Sequence, residues 1–275
     1  MKNLSSAVSQ LWQGRKSLSP GDAGALEVID EAIGLLDRGE VRVAEIDPSS
    51  DEVVVHEWLR QAILLLFILS GLETVEHGPF EYTDRLPLKR GLQAAGVRAL
   101  PGSSARRGAF LGRGVVLMPS YVNIGAHVGA ATMVDTWATV GSCAQIGERV
   151  HLAGGVGIGG VLEPPNARPV VIEDDVLIGS RSMVIEGARV GEGSVLGAGT
   201  ILNPSIPVID AWSGDELGRG YVPPWSVAVN AARRKEYPGG EFFLPCVLVV
   251  RHLTPGERHD KAMLNEILRE YEASA

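Results

Sequence analysis

The residues with most to offer chemically each interrupt a regular background. Asp135 stands in a slot that glycine holds nearby, at Gly129, Gly141 and Gly147. A carboxylate there can orient an amine and take up its proton, the more readily if burial raises its pKa. The competing reading is a turn-forming aspartate that bonds its own backbone. His127 and His151 lie in the same segment, each just ahead of a bulky apolar residue, so both should face outward, where imidazole can act as a base. Further on, Gly197, Ala198 and Gly199 leave room for a slender ligand arm and offer backbone N–H groups. Arg233, Arg234 and Lys235 form a cationic run that either meets phosphates or is a solvated loop. Cys143 and Cys246 are far apart and suggest no disulfide framework, which favours a reducing, cytoplasmic setting.

These residues need a scaffold, and the scaffold is written as a repeat. Phe110, Val116, Val122, Val128, Val134, Val140, Ile146, Leu152 and Ile158 recur at a spacing of six. The series resumes at Ile172, Ile178, Val184, Val190, Leu196, Leu202 and Val208. Small residues follow four positions later (Ala126, Thr132, Ala138, Ala144, Ser182, Ala188), and glycine often comes directly after the anchor. A period of six fits neither a 3.6-residue helix nor an alternating strand. It fits short strands joined by tight bends, three to a triangular coil, with the anchors inward and the glycines easing the bends. Coils stacked at about 4.8 Å give roughly five turns of a parallel β-helix. The gap from Glu163 to Val170 carries Pro164, Pro165 and Pro169 and should leave the prism as an external loop.

The flanks differ. Ala25 to Leu36 and His56 to Leu69 have helical spacing, with short strands expected at Val41 to Glu45 and Val53 to Val55. Phe242 to Val250 reads as a strand and Lys261 to Tyr271 as a helix, with Met263, Leu264, Ile267 and Leu268 on one face. The expected organisation is a mostly helical N-terminal domain over 1–105, a β-helix over 106–240 and a C-terminal strand and helix over 241–275. With 45% apolar but only 5% aromatic residues and 34 glycines, the composition suits many tight turns rather than large packed helices. A net charge of −8 argues against a nucleic-acid partner. The apolar run Ile63 to Leu69 is too short for a membrane span, and Met1 to Lys16 has no secretory apolar core.

Several stretches resemble a known family: VLMPSYVNIGA (Val116 to Ala126), TMVDTWATVGSCAQIG (Thr132 to Gly147), HLAGGVGIGGVLEP (His151 to Pro164) and VIEDDVLIGSRS (Val171 to Ser182), with LLDRGEVRVAE and HEWLRQAILLLF in the helical part. Together they resemble the tetrahydrodipicolinate N-succinyltransferases of bacterial lysine biosynthesis, over nearly the whole chain and more weakly after Gly199. The resemblance implies a left-handed β-helix and a homotrimer whose active sites lie between subunits. It implies acyl-CoA as co-substrate, with no permanently bound cofactor or metal, and a dicarboxylate amine as acceptor. It assigns Asp135, in the Thr132 to Trp137 motif, to the acceptor amine, and Arg98 and the Arg181-Ser182 pair to the acceptor. Guanidiniums grip carboxylates bidentately, although a surface ion pair is the plainer reading of each.

Two departures matter. The family has a glutamate after its Arg-Ser pair, whereas here Met183 follows, and a thioether accepts no proton; Glu186 is a possible substitute. After Leu202 the chain reads Asn203-Pro204 instead of Gly-Gln, which bears on the acyl donor. Succinyl-CoA is the expected donor. A tabtoxin-type paralogue using acetyl-CoA is the alternative, and a non-catalytic β-helix binding protein a further one. A zinc hydratase of the γ-carbonic anhydrase type would need converging imidazoles, and no two of the six histidines are five apart. Because a thiolate is a tolerable leaving group, neither cysteine is needed as a nucleophile, and Cys143 reads as packing. The tryptophans, Trp137 included, also read as packing.

Overall fold

The computed structural model describes residues 2–162 and 168–257. Within them the hexad repeat closes into a three-walled prism of parallel strands, each only two residues long. The first wall stacks Arg98–Ala99, Val116–Leu117, Met133–Val134, His151–Leu152, Leu177–Ile178 and Val195–Leu196. The second stacks Ser104–Ala105, Tyr121–Val122, Thr139–Val140, Gly157–Ile158, Met183–Val184 and Ile201–Leu202. The third stacks Phe110–Leu111, His127–Val128, Gln145–Ile146, Val171–Ile172, Arg189–Val190 and Tyr221–Val222. Each wall therefore holds six coil strands rather than the five expected, and the stack begins at Arg98, ahead of the anticipated boundary at 106.

In each pair the second residue points inward. Val122, Val128, Val134, Val140, Ile146, Leu152 and their successors are sealed in one continuous core. The small residues line the inside at the corners, where most of the hydroxyls find partners, Ser120 Oγ being an exception among the described residues. Thr132 Oγ1 donates to the Gly147 carbonyl (2.8 Å) and accepts from Val150 N (3.0 Å), as buried polar groups must.

The first two expected anchors face the other way. Leu111 and Leu117 point inward, and Phe110 and Val116 outward. Leu117 and Val122 are one residue closer than the repeat, and this short step hides the change of phase: counting outward residues before it and inward ones after preserves an apparent period of six. Phe110 has an outside role. Its ring lies 4.5 Å from that of His127, and it fills the space a side chain on Gly39 would need, since a Cβ there would come within 2.5 Å of the ring.

The glycines after the anchors serve a different purpose from the one expected. Gly129, Gly141, Gly147 and Gly179 are not in the left-handed region. A Cβ on Gly141 would approach the Gly160 nitrogen to 2.2 Å, so glycine is needed there for the close approach of successive coils. The bends themselves use positive φ even at non-glycine residues, among them Trp137 (61°), Cys143 (65°) and Arg181 (59°).

Three helices cap the third wall and its edge: α1 (Lys2–Gln13), α2 (Ala23–Arg38) and α3 (Glu57–Leu69). The Asp22 side chain accepts from Ala25 N at 3.1 Å to start α2, and Gly39 in the left-handed conformation ends it. Their apolar faces form a second core that takes in Ile124, Cys143 and Val161 of the prism. A small antiparallel pair, Ala44–Ile46 with Val53–Val55, lies beside the third wall. Arg189 clamps it there, reaching Asp51 and Glu173 at 2.6 Å each. An exposed hairpin of Glu73–His77 and Phe80–Asp84 was not foreseen.

Val208 is buried in the prism core as expected of an anchor, but its strand, Pro207–Asp210, pairs with Val247–Val249 instead of joining the third wall's stack, which Tyr221–Val222 completes. Ser226–Tyr237 extends the first wall and turns back as Gly240–His252. The expected helix Lys261 to Tyr271, and Glu163 to Ala167 of the expected external loop, lie outside the described residues. Among the described residues no helix is long and apolar enough to cross a membrane.

Candidate active site

The corner between the first and second walls gathers most of the residues singled out above. Its backbone is a vertical ladder: Gly155 N donates to Thr136 O (2.9 Å), Arg181 N to Gly154 O (3.0 Å) and Gly199 N to Ser180 O (2.9 Å). Asp135, Arg181 and Gly197 to Gly199 therefore lie along one edge of the prism. Arg181 drapes over Gly155, where a Cβ would meet its Cγ at 3.3 Å. Arg98 is exposed on the outer face of the first wall, at the first coil. Among the described residues neither Arg98 nor Arg181 has an ion-pair partner, unlike most arginines of the chain.

Asp135 sits where the chain leaves Met133–Val134 to round the corner. Its Oδ1 accepts from Thr136 N (2.6 Å) and Thr136 Oγ1 (3.2 Å), and its Oδ2 lies 3.3 Å from His151 Nε2. The side chain is 29% exposed. Partial burial works to raise its pKa, but the Thr136 N–H and the His151 side chain outweigh it, and the carboxyl titrates below its ordinary range. The condition that would make Asp135 more basic, a pKa raised by burial, is thus not met: it is a carboxylate at neutral pH and a weak proton acceptor.

Other expectations divide. Ser182 cannot touch a ligand. It is sealed inside the prism, donating to the Gly197 carbonyl (3.1 Å) and accepting from Thr200 N (3.1 Å), because it holds the small inward corner position. The N–H of Gly197 is spent on Ala228 O and that of Gly199 on Ser180 O, so neither is free for a ligand. Ala198 N has no partner among the described residues, and nothing lies within 4 Å of a Cβ placed on Gly199, so this edge is bare. Arg233, Arg234 and Lys235 do not make one basic patch. They lie on a strand, whose alternation turns Arg234 away from its neighbours; Arg233 pairs with Glu216 (3.0 Å) and Arg234 with Glu241 (2.6 Å).

His127 faces outward but onto the third wall, under the helical cap. Burial first, and then the charge of Arg42, push its pKa down to about 3, so it is a neutral packing residue. Trp137 is 75% exposed at the same corner as Asp135, so it is not packed inside as its type suggested. Met183 faces outward on the second wall, two coils above Asp135, and covers the dent at Gly157, where a Cβ would lie 3.6 Å from its Cγ. Cys143 is buried against α3, with its thiol pushed up to about 12 by burial, as a packing residue should be.

Comparisons with known proteins bear on the family and the fold. Residues 3–69 match the family described as "Tetrahydrodipicolinate N-succinyltransferase N-terminal", and residues 169–204 match "Hexapeptide repeat of succinyl-transferase". A relative from Methylorubrum populi, named 2,3,4,5-tetrahydropyridine-2,6-dicarboxylate N-succinyltransferase, is 44% identical over 97% of this chain and 98% of its own. The chain belongs to that N-succinyltransferase family. A member of the same name from Caulobacter vibrioides is also 44% identical, over 98% of this chain and 100% of its own. The family is one of acyltransferases, and the helix-capped prism is its left-handed parallel β-helix.

Proposed function

We propose that this protein transfers the succinyl group of succinyl-CoA to the amine of tetrahydrodipicolinate, in its ring-opened 2-amino-6-oxopimelate form, as a step toward diaminopimelate and lysine. The observation that carries the reading is the corner itself. An ionised Asp135 and two arginines unpaired among the described residues face outward on one side of a prism whose family transfers succinyl groups. The arginines suit the two carboxylates of the acceptor, and Asp135 suits its ammonium. The bare edge at Ala198 and Gly199 is where the pantetheine arm would run. The corner is too open on one chain to exclude water, so a homotrimer whose neighbouring subunit closes the groove completes the site, in the cytoplasm where acyl-CoA is made.

Purified protein is incubated with the acceptor and either succinyl-CoA or acetyl-CoA. Free thiol is followed over time, and the product is weighed by mass spectrometry. Acceptor-dependent thiol release with succinyl-CoA, and a product heavier by one succinyl group, is the expected result. A clear preference for acetyl-CoA corrects the donor, and no release with either refutes the reading. Light scattering that gives a monomer refutes the shared site.

A further inference from the structure

The amine must lose a proton during acyl transfer, and the corner as described leaves that proton without a good acceptor. Asp135 is held as a carboxylate by Thr136 and His151, and Met183 has no lone pair basic enough. His151 is adjacent and otherwise unused. It stands on the outer face of the first wall, one coil above Asp135, in the column that runs from Arg98 through Val116 and Met133. Its Nε2 lies 3.3 Å from Asp135 Oδ2, and its side chain is 23% exposed. Its Nδ1 has no hydrogen-bond partner among the described residues and is not sealed from solvent. A carboxylate beside Nε2 favours the tautomer that carries hydrogen there, which leaves the Nδ1 lone pair free.

We propose that His151 is the group that takes the amine proton, and that Asp135 is its positioning residue as well as a contact for the acceptor. This rests on the acyl-transfer reading above. The acceptor's ammonium, held by Asp135, first releases a proton to solvent; the free amine nitrogen then bonds to the thioester carbonyl carbon, and one of its remaining protons passes to Nδ1. The C–S bond then breaks, and the sulfur leaves with that proton from the imidazolium, giving an amide and a free thiol. Asp135 stays ionised throughout. Imidazole is the side chain whose ordinary titration lies nearest neutral pH, which suits it to both halves of the transfer. The pairing also accounts for how the site can work with methionine at position 183.

The test compares wild type, His151→Asn and Asp135→Asn as intact proteins, with circular dichroism to confirm folding. His151→Asn should lower kcat by about 10²- to 10³-fold, the range for loss of a general base, with acceptor KM changed less than about twofold. Added imidazole should restore part of the rate. The acid limb of the kcat/KM profile should vanish in His151→Asn and persist in Asp135→Asn. If the wild type is active and His151→Asn keeps its rate and its acid limb, or Asp135→Asn alone loses that limb, this inference is overturned and the acyl-transfer reading stands. A wild type inactive with both donors overturns both.

Discussion

Leu117 and Val116 are neighbours on one two-residue strand, and which of them faces inward sets the phase of the first coils. Leu117 is fully buried, stacked under Val134 in the prism core, whereas Val116 looks outward with Met133. Leu117→Ala removes three carbons from a column whose backbone is held by ladder bonds above and below. The void therefore collapses poorly, and the cost should lie near that of buried leucines elsewhere, about 3–5 kcal/mol. Val116→Ala removes two carbons from a half-exposed surface and should cost below about 1 kcal/mol. A chain of this length shifts by about 2 °C per kcal/mol, so the first variant should melt about 6–10 °C lower and the second within about 2 °C of wild type. Thermal melts followed by circular dichroism, backed by urea titration, give both numbers. Equal losses, or a larger loss for Val116→Ala, would refute the phase change and return Val116 to the interior.

Gly141→Ala should be far worse than its single methyl suggests, at about 1–3 kcal/mol or a failure to fold, because the Cβ would meet the Gly160 nitrogen at 2.2 Å; soluble yield and melting temperature read this out. Asp210 is held down to about 2 by the His252 side chain first and by the Ser213 and Trp212 N–H groups. Because its folded pKa is depressed, it stabilises above the unfolded value near 4 and that contribution fades as pH falls toward 2. Melting temperature between pH 5 and 2 should therefore decline less steeply in Asp210→Asn than in wild type. Both cysteines are buried with pKa values raised by burial, so a thiol reagent at neutral pH should label neither until the protein unfolds.

From Val122 onward the sequence speaks plainly. Each inward residue sits on another from the next coil, so one side-chain type recurs at one spacing, and nothing but a three-walled stack reproduces that spacing. Before Val122 the same logic misleads. A bend one residue short, between Leu117 and Val122, exchanges inner for outer faces, and Phe110 is bulky for a different partner, the end of α2. Helix α1 was overlooked although Leu4, Val8 and Leu11 have helical spacing. The hairpin at 73–84 is exposed and buries too little to leave a pattern. Asp135 was visible because it breaks the glycine slot. Its depressed pKa was not, since that depends on a backbone N–H beside it and an imidazole one coil away. Ser182 and the Arg233 to Lys235 run show the reverse. Their types suggested ligand contacts, but the inward corner and the strand alternation decide where they point.

The helical cap has a geometric consequence for any assembly. Among the described residues the third wall is covered, by the chain from Gly39 to Val55 and the helices beside it, so a second copy, were one to dock, would meet the first and second walls instead. The ridge where those walls meet carries Asp135, Trp137 and Arg181. Were copies of the chain to associate across those walls, their contact and the proposed capture of substrate would share one strip of surface, and a change that loosened one would be felt by the other.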